Sequence, residues 1–294
     1  MKIGIIGAGR VGSAFALALT GNGDEISGIC SRSDQSVAFL SDKLGRAFIN
    51  DVSSTINEAD IVLLTVPDTD IAKVAAKIRE DGSLGIEGKT FLHCSGALTS
   101  SELEPLNRAG GCTGSLHPIQ TFASRDEGWK RMQGIFFGYE GSAEAREKAL
   151  CLVKPLNGTL LDIRPEAKPL YHAAACILSN YTVTLSYVAG MLLDKAGIGK
   201  VLGIKAFMPL LVNTVENIAA GGSLNALTGP ISRGDSITVA GHLMALDDKD
   251  KVLSEFYRVL GRITVQLAVD KGSIDGTKAG ILLEVLSTTA QVTL

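Results

Sequence analysis

The sequence predicts an α/β chain, with a mainly parallel sheet covered by helices in the first half and an all-helical second half. Three observations carry that expectation. β-branched runs alternate with short helical segments through the first half. A glycine-rich turn joins the first strand to the first helix. Beyond residue 165 apolar residues recur at helical spacing, with almost no strand signal.

In order, the first strand is Lys2–Ile6 and the first helix, rich in Ala and Leu, covers 12–19. Strand 26–30, helix 35–44 and a short third strand at 47–49 follow. An apolar strand over 60–66 is ended by Pro67. Helix 71–78, strand 90–93, helix 100–109 and strands 114–116 and 135–139 complete the alternating region. Helices are then expected at 167–195, 204–219, 236–246, 249–271 and 276–290. In the second of these Ile204, Phe207, Met208, Leu211, Val212, Val215 and Ile218 share one face. The change of pattern sets a domain boundary near residue 164, giving domains 1–164 and 165–294.

Composition excludes several classes. The chain has 294 residues, 46% apolar and 20% charged, the reverse of a disordered balance. A net charge of −3 carries no basic excess, so no nucleic-acid partner is expected. The five cysteines are odd in number, widely spaced and without a CxxC, which argues for free thiols in the cytoplasm. No HExxH, His-Cys cluster or paired-acid pattern suggests a metal, and no GxSxG suggests a hydrolase. Met1 and Lys2 run straight into a strand, with no leader expected. The longest mainly apolar stretch, 171–193, contains His172, Ser179, Asn180, Thr182, Thr184 and Ser186. It reads as a core helix, not a membrane span.

Gly7-Ala8-Gly9-Arg10-Val11-Gly12 is a GxGxxG between a strand and a helix. The first glycine allows the tight turn, the second a close pyrophosphate and the third close helix–strand packing. The helix N-terminus adds free amides and positive potential for phosphates. The first domain is therefore read as a Rossmann dinucleotide-binding domain. At the end of the second strand an NAD site usually carries an acid for the ribose 2′-hydroxyl. Here Ser31-Arg32-Ser33 stands instead, suited to a 2′-phosphate. This favours NADP(H), while Asp34 keeps NAD(H) open. Val66-Pro67-Asp68 and Ser95-Gly96 stand at the ends of the fourth and fifth expected strands, at the edge where such folds bind ligands. They are expected around the nicotinamide.

His93-Cys94-Ser95-Gly96-Ala97, the segment Gly114 to Phe122 containing His117-Pro118-Ile119-Gln120-Thr121-Phe122, and Gly229-Pro230-Ile231-Ser232-Arg233-Gly234-Asp235 form one series with the chain start. Together they resemble a family of bacterial oxidoreductase-like proteins with a Rossmann-like domain followed by a helical DUF2520 domain. The resemblance covers nearly the whole chain. More distantly the chain is similar to the 6-phosphogluconate dehydrogenase-like superfamily, with ketopantoate, pyrroline-5-carboxylate and prephenate enzymes among its members. The resemblance implies NADP-linked hydride transfer at an interdomain cleft, a small carboxylate substrate and a homodimer through the helical domain. Ketopantoate is the leading substrate it implies. A prephenate-type dehydrogenase, a pyrroline-5-carboxylate-type imine reductase and a nonenzymatic dinucleotide sensor are the alternatives.

A carbonyl reductase needs a hydride donor, a proton donor at the heteroatom and a group for the carboxylate. Lys168 and His172 are four apart on one helix, with Asn180 two turns further. Superfamily members commonly use Lys-x-x-x-Asn there. In this chain His172 takes the place four residues after Lys168, and Pro169 puts Lys168 in the first helical turn. His172 and Asn180 are therefore preferred to Lys168 as catalytic residues. His117 resembles the His-Pro segment of prephenate dehydrogenases and is a further catalytic candidate. Arg233 offers a planar fork for a carboxylate, with Asp235 capping the next helix. Ser95, Gln120 and His242 are the other substrate-binding candidates. His93 is expected to be a core histidine at a strand end. The charged residues Lys251, Arg258, Arg262 and Lys271 are expected on a solvated helix face.

Overall fold

The computed structural model describes residues 1–247 and 250–287. By contact the chain forms two compact units, Met1–Thr182 and a second beginning at Val183.

The first unit is a seven-stranded sheet in the order β2-β1-β3-β4-β5-β6-β7. Its strands are β1 (Lys2–Ile6), β2 (Glu25–Cys30), β3 (Ile61–Leu64), β4 (Thr90–His93), β5 (Cys112–Pro118), β6 (Phe136–Gly141) and β7 (Thr159–Asp162). All neighbours pair in parallel except β5 and β6. The helices are α1 (Arg10–Thr20), α2 (Asp34–Leu44), α3 (Val52–Asn57), α4 (Asp68–Glu80), α5 (Glu104–Asn107), α6 (Ala143–Val153) and α7 (Lys168–Leu178). Phe15, Leu19, Leu40, Ala149 and Leu152 bury one sheet face around Ile3, Ile5, Leu63 and Phe137. Ile56, Ile71, Ala75, Ile78 and Leu106 bury the other around Ile6, Val62, Leu64 and Phe91. Strands covered on both faces explain the unbroken apolar runs of β1 and β3.

The third strand expected at 47–49 does not form. Phe48 N–H donates to Ser41 Oγ, and the Arg46 guanidinium lies over the Phe48 ring. Arg46 Nη1 also donates to the Ile26 carbonyl on the outer strand β2. Three apolar residues are thus a loop folded onto the sheet edge. The chain crosses from β2 to β3 on the far side of β1, which makes the carboxyl ends of β1 and β3 the topological switch point. The strand β7 was not expected. It is four residues long at the sheet edge and mostly exposed, so it lacks an apolar run.

The helix expected over 167–195 is two helices, α7 and α8 (Asn180–Lys195), separated at Ser179. α7 belongs to the sheet unit, beyond the loss of strand signal near residue 164. The second unit adds α9 (Lys200–Ala226), α10 (Pro230–Arg233), α11 (Ser236–Asp247), α12 (Lys251–Asp270) and α13 (Gly276–Ser287). The last residues of the expected helix 276–290 lie outside the described residues. α9 is longer than expected and bends at Gly222, whose φ is +73°. Ile231, Val239, Leu243, Val265, Ala268, Leu282 and Leu286 form this unit's core.

The basic face expected on α12 is not simply solvated. Arg258 is buried and donates to Val285 O, and Arg262 donates to Leu286 O. Cations at the end of α13 satisfy carbonyls that no helical turn can reach. Lys271, just past α12, likewise donates to Asn225 O and Leu227 O. Two helical stretches, Pro165–Lys195 and Lys200–Arg233, are long and apolar enough to cross a membrane by length and composition alone. The first carries Lys168, which is buried against the sheet unit.

Candidate active site

The glycine loop has the geometry its spacing demands. Gly7 has φ +111°, and a Cβ there would stand 2.8 Å from the Thr65 carbonyl. A Cβ on Gly12 would stand 2.1 Å from Gly7 O and 2.5 Å from Thr65 Oγ1. α1 therefore packs on the loop only because Gly12 has no side chain. A Cβ on Gly9, by contrast, would meet no atom within 4 Å. Gly9 is the N-cap of α1 and supplies no side-chain cap, so no cap side chain takes up the helix's first amides. Arg10 is exposed and Val11 half-buried on the first turn.

At the end of β2, Ser31 N–H donates to Asn50 Oδ1 at 2.8 Å. Asn50 Nδ2 donates in turn to Asp34 Oδ1. Arg32 is 82% exposed by side chain, with Nη1 3.4 Å from Asp70 Oδ2. Ser33 is the N-cap of α2 and makes no side-chain cap bond. Sequence reading missed Asn50, which ties the loop that carries these three residues.

A second cluster forms where β4, β5 and α7 meet. Ser95 is buried; its Oγ donates to Asp68 Oδ2 at 2.7 Å and accepts from the amides of Ala97 and Leu98. It therefore builds the turn after β4. Asp68 is at the start of α4 and anchors that turn to the segment Val66-Pro67. His93 is fully buried, with Nε2–H on Thr99 O at 2.9 Å and Nδ1 accepting Ser95 N–H at 3.2 Å. Burial holds this ring down to a pKa of about 4, against the opposing pull of its Thr99 bond.

Lys168 is 1% exposed and reaches Ser115 Oγ and Ser95 O. Burial lowers its pKa to about 8, although Glu140 and Asp68 favour the charge. It braces the turn after β4 against the middle of β5. His117 Nδ1 lies 2.6 Å from the Tyr171 hydroxyl. Burial, helped by the nearby His172 and Lys168, lowers the His117 pKa to about 4. The His117 and His172 rings meet edge to face, with centroids 6.3 Å apart. Both press on Gly96: a Cβ there would stand 2.7 Å from His172 Cδ2 and 3.0 Å from His117 Nε2. Cys176 Sγ lies 3.9 Å from His172 Nδ1.

The structure thus gathers Asp68, Ser95, Gly96, His117, Lys168 and His172 around one turn. Gln120 lies just beyond β5, where its Oε1 accepts the Thr121 amide. Asn180 opens α8, past the break at Ser179. Arg233 and His242 are exposed in the second unit, and His242 Nδ1 pairs with the Tyr257 hydroxyl at 2.8 Å. Asp235 caps α11 through Thr238, as expected, which holds its carboxyl below the usual range. Sequence reading missed Tyr171 and Ser115. Tyr171 was findable, since Lys168, Tyr171 and His172 stand at i, i+3 and i+4. Among the described residues no group of three His, Cys, Asp or Glu is placed to hold a metal.

Residues 1–118 match the Rossmann-like domain, and residues 135–264 match DUF2520, a domain of unknown function. No curated protein matches the chain. Among solved structures, protein TM1727 from Thermotoga maritima is 24% identical, with TM-score 0.72, over 92% of this chain and 100% of its own. BF3122 from Bacteroides fragilis, by name a candidate NADP oxidoreductase, is 23% identical, with TM-score 0.71, over 90% of this chain and 98% of its own. An imine reductase from Myxococcus stipitatus, solved with NAD+, is 19% identical, with TM-score 0.60, over 96% and 99%. At such identities the likeness shows a shared fold.

Proposed function

For a chain that carries a Rossmann-like domain followed by a DUF2520 domain, we propose the function of an NADP(H)-dependent reductase acting on a small carboxylated carbonyl compound, with ketopantoate the first candidate. The observation that carries it is the division of labour among the three glycines. Gly7 and Gly12 are needed by the protein's own packing, whereas Gly9 leaves open backbone at a helix N-terminus. That is the shape a pyrophosphate requires.

The residues present fit the dinucleotide. Gly9, Arg10 and Val11 would hold the pyrophosphate, and Ser31, Arg32 and Ser33 the 2′-phosphate. Asp34, the one acid that would favour NAD(H), is engaged by Asn50, which supports NADP(H). Val66, Pro67 and Gly96 would flank the nicotinamide. The bound cofactor supplies the hydride. His117 would offer a hydrogen bond to the substrate oxygen, with His172 beside it.

The reading extends to assembly and location. α8 and α9 leave Val183 70%, Val201 85% and Leu210 64% exposed in the single chain. A second copy covering this apolar surface makes the protein a homodimer. Sedimentation showing a monomer at micromolar concentration overturns that. Five free thiols suit a reducing cytoplasm.

The test is calorimetry with NADPH and NADH, then an absorbance screen of 2-keto acids and cyclic imines on the same sample. Micromolar or tighter NADPH binding with turnover of a keto acid supports the reading. Turnover of an imine alone overturns the carbonyl assignment. Binding without any turnover points to a sensor, and no binding sinks the proposal.

A further inference from the structure

Tyr171 has no task in the reading above, yet the fold makes a place for it. His117 on β5 stands opposite Gly138 on β6 in the antiparallel pair. A Cβ on Gly138 would lie 2.5 Å from the Tyr171 hydroxyl oxygen and 2.7 Å from Ile163 Cδ1. The phenol therefore occupies the space that glycine leaves beside His117. The two rings meet edge to face at 90°, with centroids 5.7 Å apart, and the hydroxyl is 2.6 Å from Nδ1. The opposite edge of the imidazole, with Nε2, lies against Gly96.

We propose that Tyr171, seated over Gly138, is a positioning residue that fixes His117 as the Nε2–H tautomer. A phenol is a far stronger acid than a neutral imidazole N–H, and an imidazole nitrogen a far stronger base than a phenol oxygen. The O–H therefore donates to Nδ1, and the proton of the ring resides on Nε2. Burial agrees with this. It lowers the His117 pKa to about 4 and raises that of Tyr171 to about 12, so both rings are neutral at physiological pH. The outcome is a neutral ring that presents a hydrogen-bond donor beside Gly96. The consequence for catalysis, a donor aimed at charge developing on a substrate oxygen, rests on the reductase reading; the tautomer itself does not.

The experiment uses the unliganded full chain labelled with 15N, at about pH 7.5. The chain has four histidines, and a His117→Gln variant assigns the signal of interest. Long-range 15N–1H correlations separate Nε2–H from Nδ1–H rings. The expected result is Nε2–H for His117, changing to a mixture of tautomers in both Tyr171→Phe and Gly138→Ala. Gly138→Ala keeps the phenol and displaces it, so it answers the question if Tyr171→Phe folds poorly. The His93 signals, pinned by their own partners, serve as the folding control. His117 found as Nδ1–H, or unchanged Nε2–H in both variants, overturns the proposal. In the reductase assay Tyr171→Phe should lower kcat by about tenfold or more with KM for NADPH within about twofold. A protein that fails to bind NADPH loses the reductase reading and leaves the tautomer result standing.

Discussion

Acid should weaken the N-terminal unit through His93. Its Nε2 must donate, because Thr99 O can only accept, and its Nδ1 must accept, because Ser95 N–H can only donate. A proton on Nδ1 breaks the second bond and puts a charge in a fully buried site. The folded pKa of about 4 lies below the ordinary 6.5. The sign follows: the contribution is complete above the unfolded value and is lost as pH falls from 6.5 towards 4. Full titration corresponds to roughly 3 kcal/mol, of which roughly 2 to 3 kcal/mol is gone by pH 4.5. Urea unfolding followed by fluorescence reads this unit directly, since Trp129 is the single tryptophan and lies in it. Wild type and His93→Gln should be compared from about pH 7.5 to 4.5. The variant's own stability cancels in the pH difference, and so does the contribution of His117. The variant should lose roughly 2 to 3 kcal/mol less than wild type over that range. Parallel profiles refute the reasoning.

Gly12→Ala should lower stability by about 1 to 3 kcal/mol, read as a fall in Tm, and abolish NADPH binding in calorimetry. Its new Cβ would stand 2.1 Å from Gly7 O. Arg32→Ala should weaken NADPH about tenfold or more and leave NADH within about twofold, because the exposed guanidinium, 3.4 Å from Asp70, is the group proposed for the extra phosphate. Equal losses for both cofactors count against it. The folded pKa of Lys168, about 8, lies below the ordinary 10.5, so its own contribution should gain as pH rises from 8 to 10.5, while the buried Cys30 and Cys94 thiols, whose pKa values are raised, pull the other way in wild type and variant alike. Lys168→Met should remove that gain, of roughly 2 to 3 kcal/mol, in unfolding experiments at the two pH values.

Legibility differed from element to element for physical reasons. The strands β1, β3 and β4 are buried on both faces, and each announces itself as a short apolar run. The expected strand at 47–49 had the right residue types. It failed because Arg46 took the β2 edge through the Ile26 carbonyl, a contact across 20 residues of chain. β7 was invisible because an exposed edge strand needs little apolar patterning. Arg258 looked like a surface charge until α13 brought its last carbonyls alongside.

The candidate site divides in the same way. The glycine turn, the helix it opens and the candidates His117, His172 and Lys168 can be read from the order of residues alone. Those follow from residue type and from spacing within a few positions, where backbone geometry allows few answers. What those side chains touch is set by long-range packing. It put Lys168 on Ser115, 53 residues away, as a brace, and Tyr171 on His117, 54 residues away. Such partnerships depend on which strand lies beside which, and on a glycine across the ladder that leaves a hydroxyl its room. Sheet order is a property of the whole packed chain, so no local pattern encodes it.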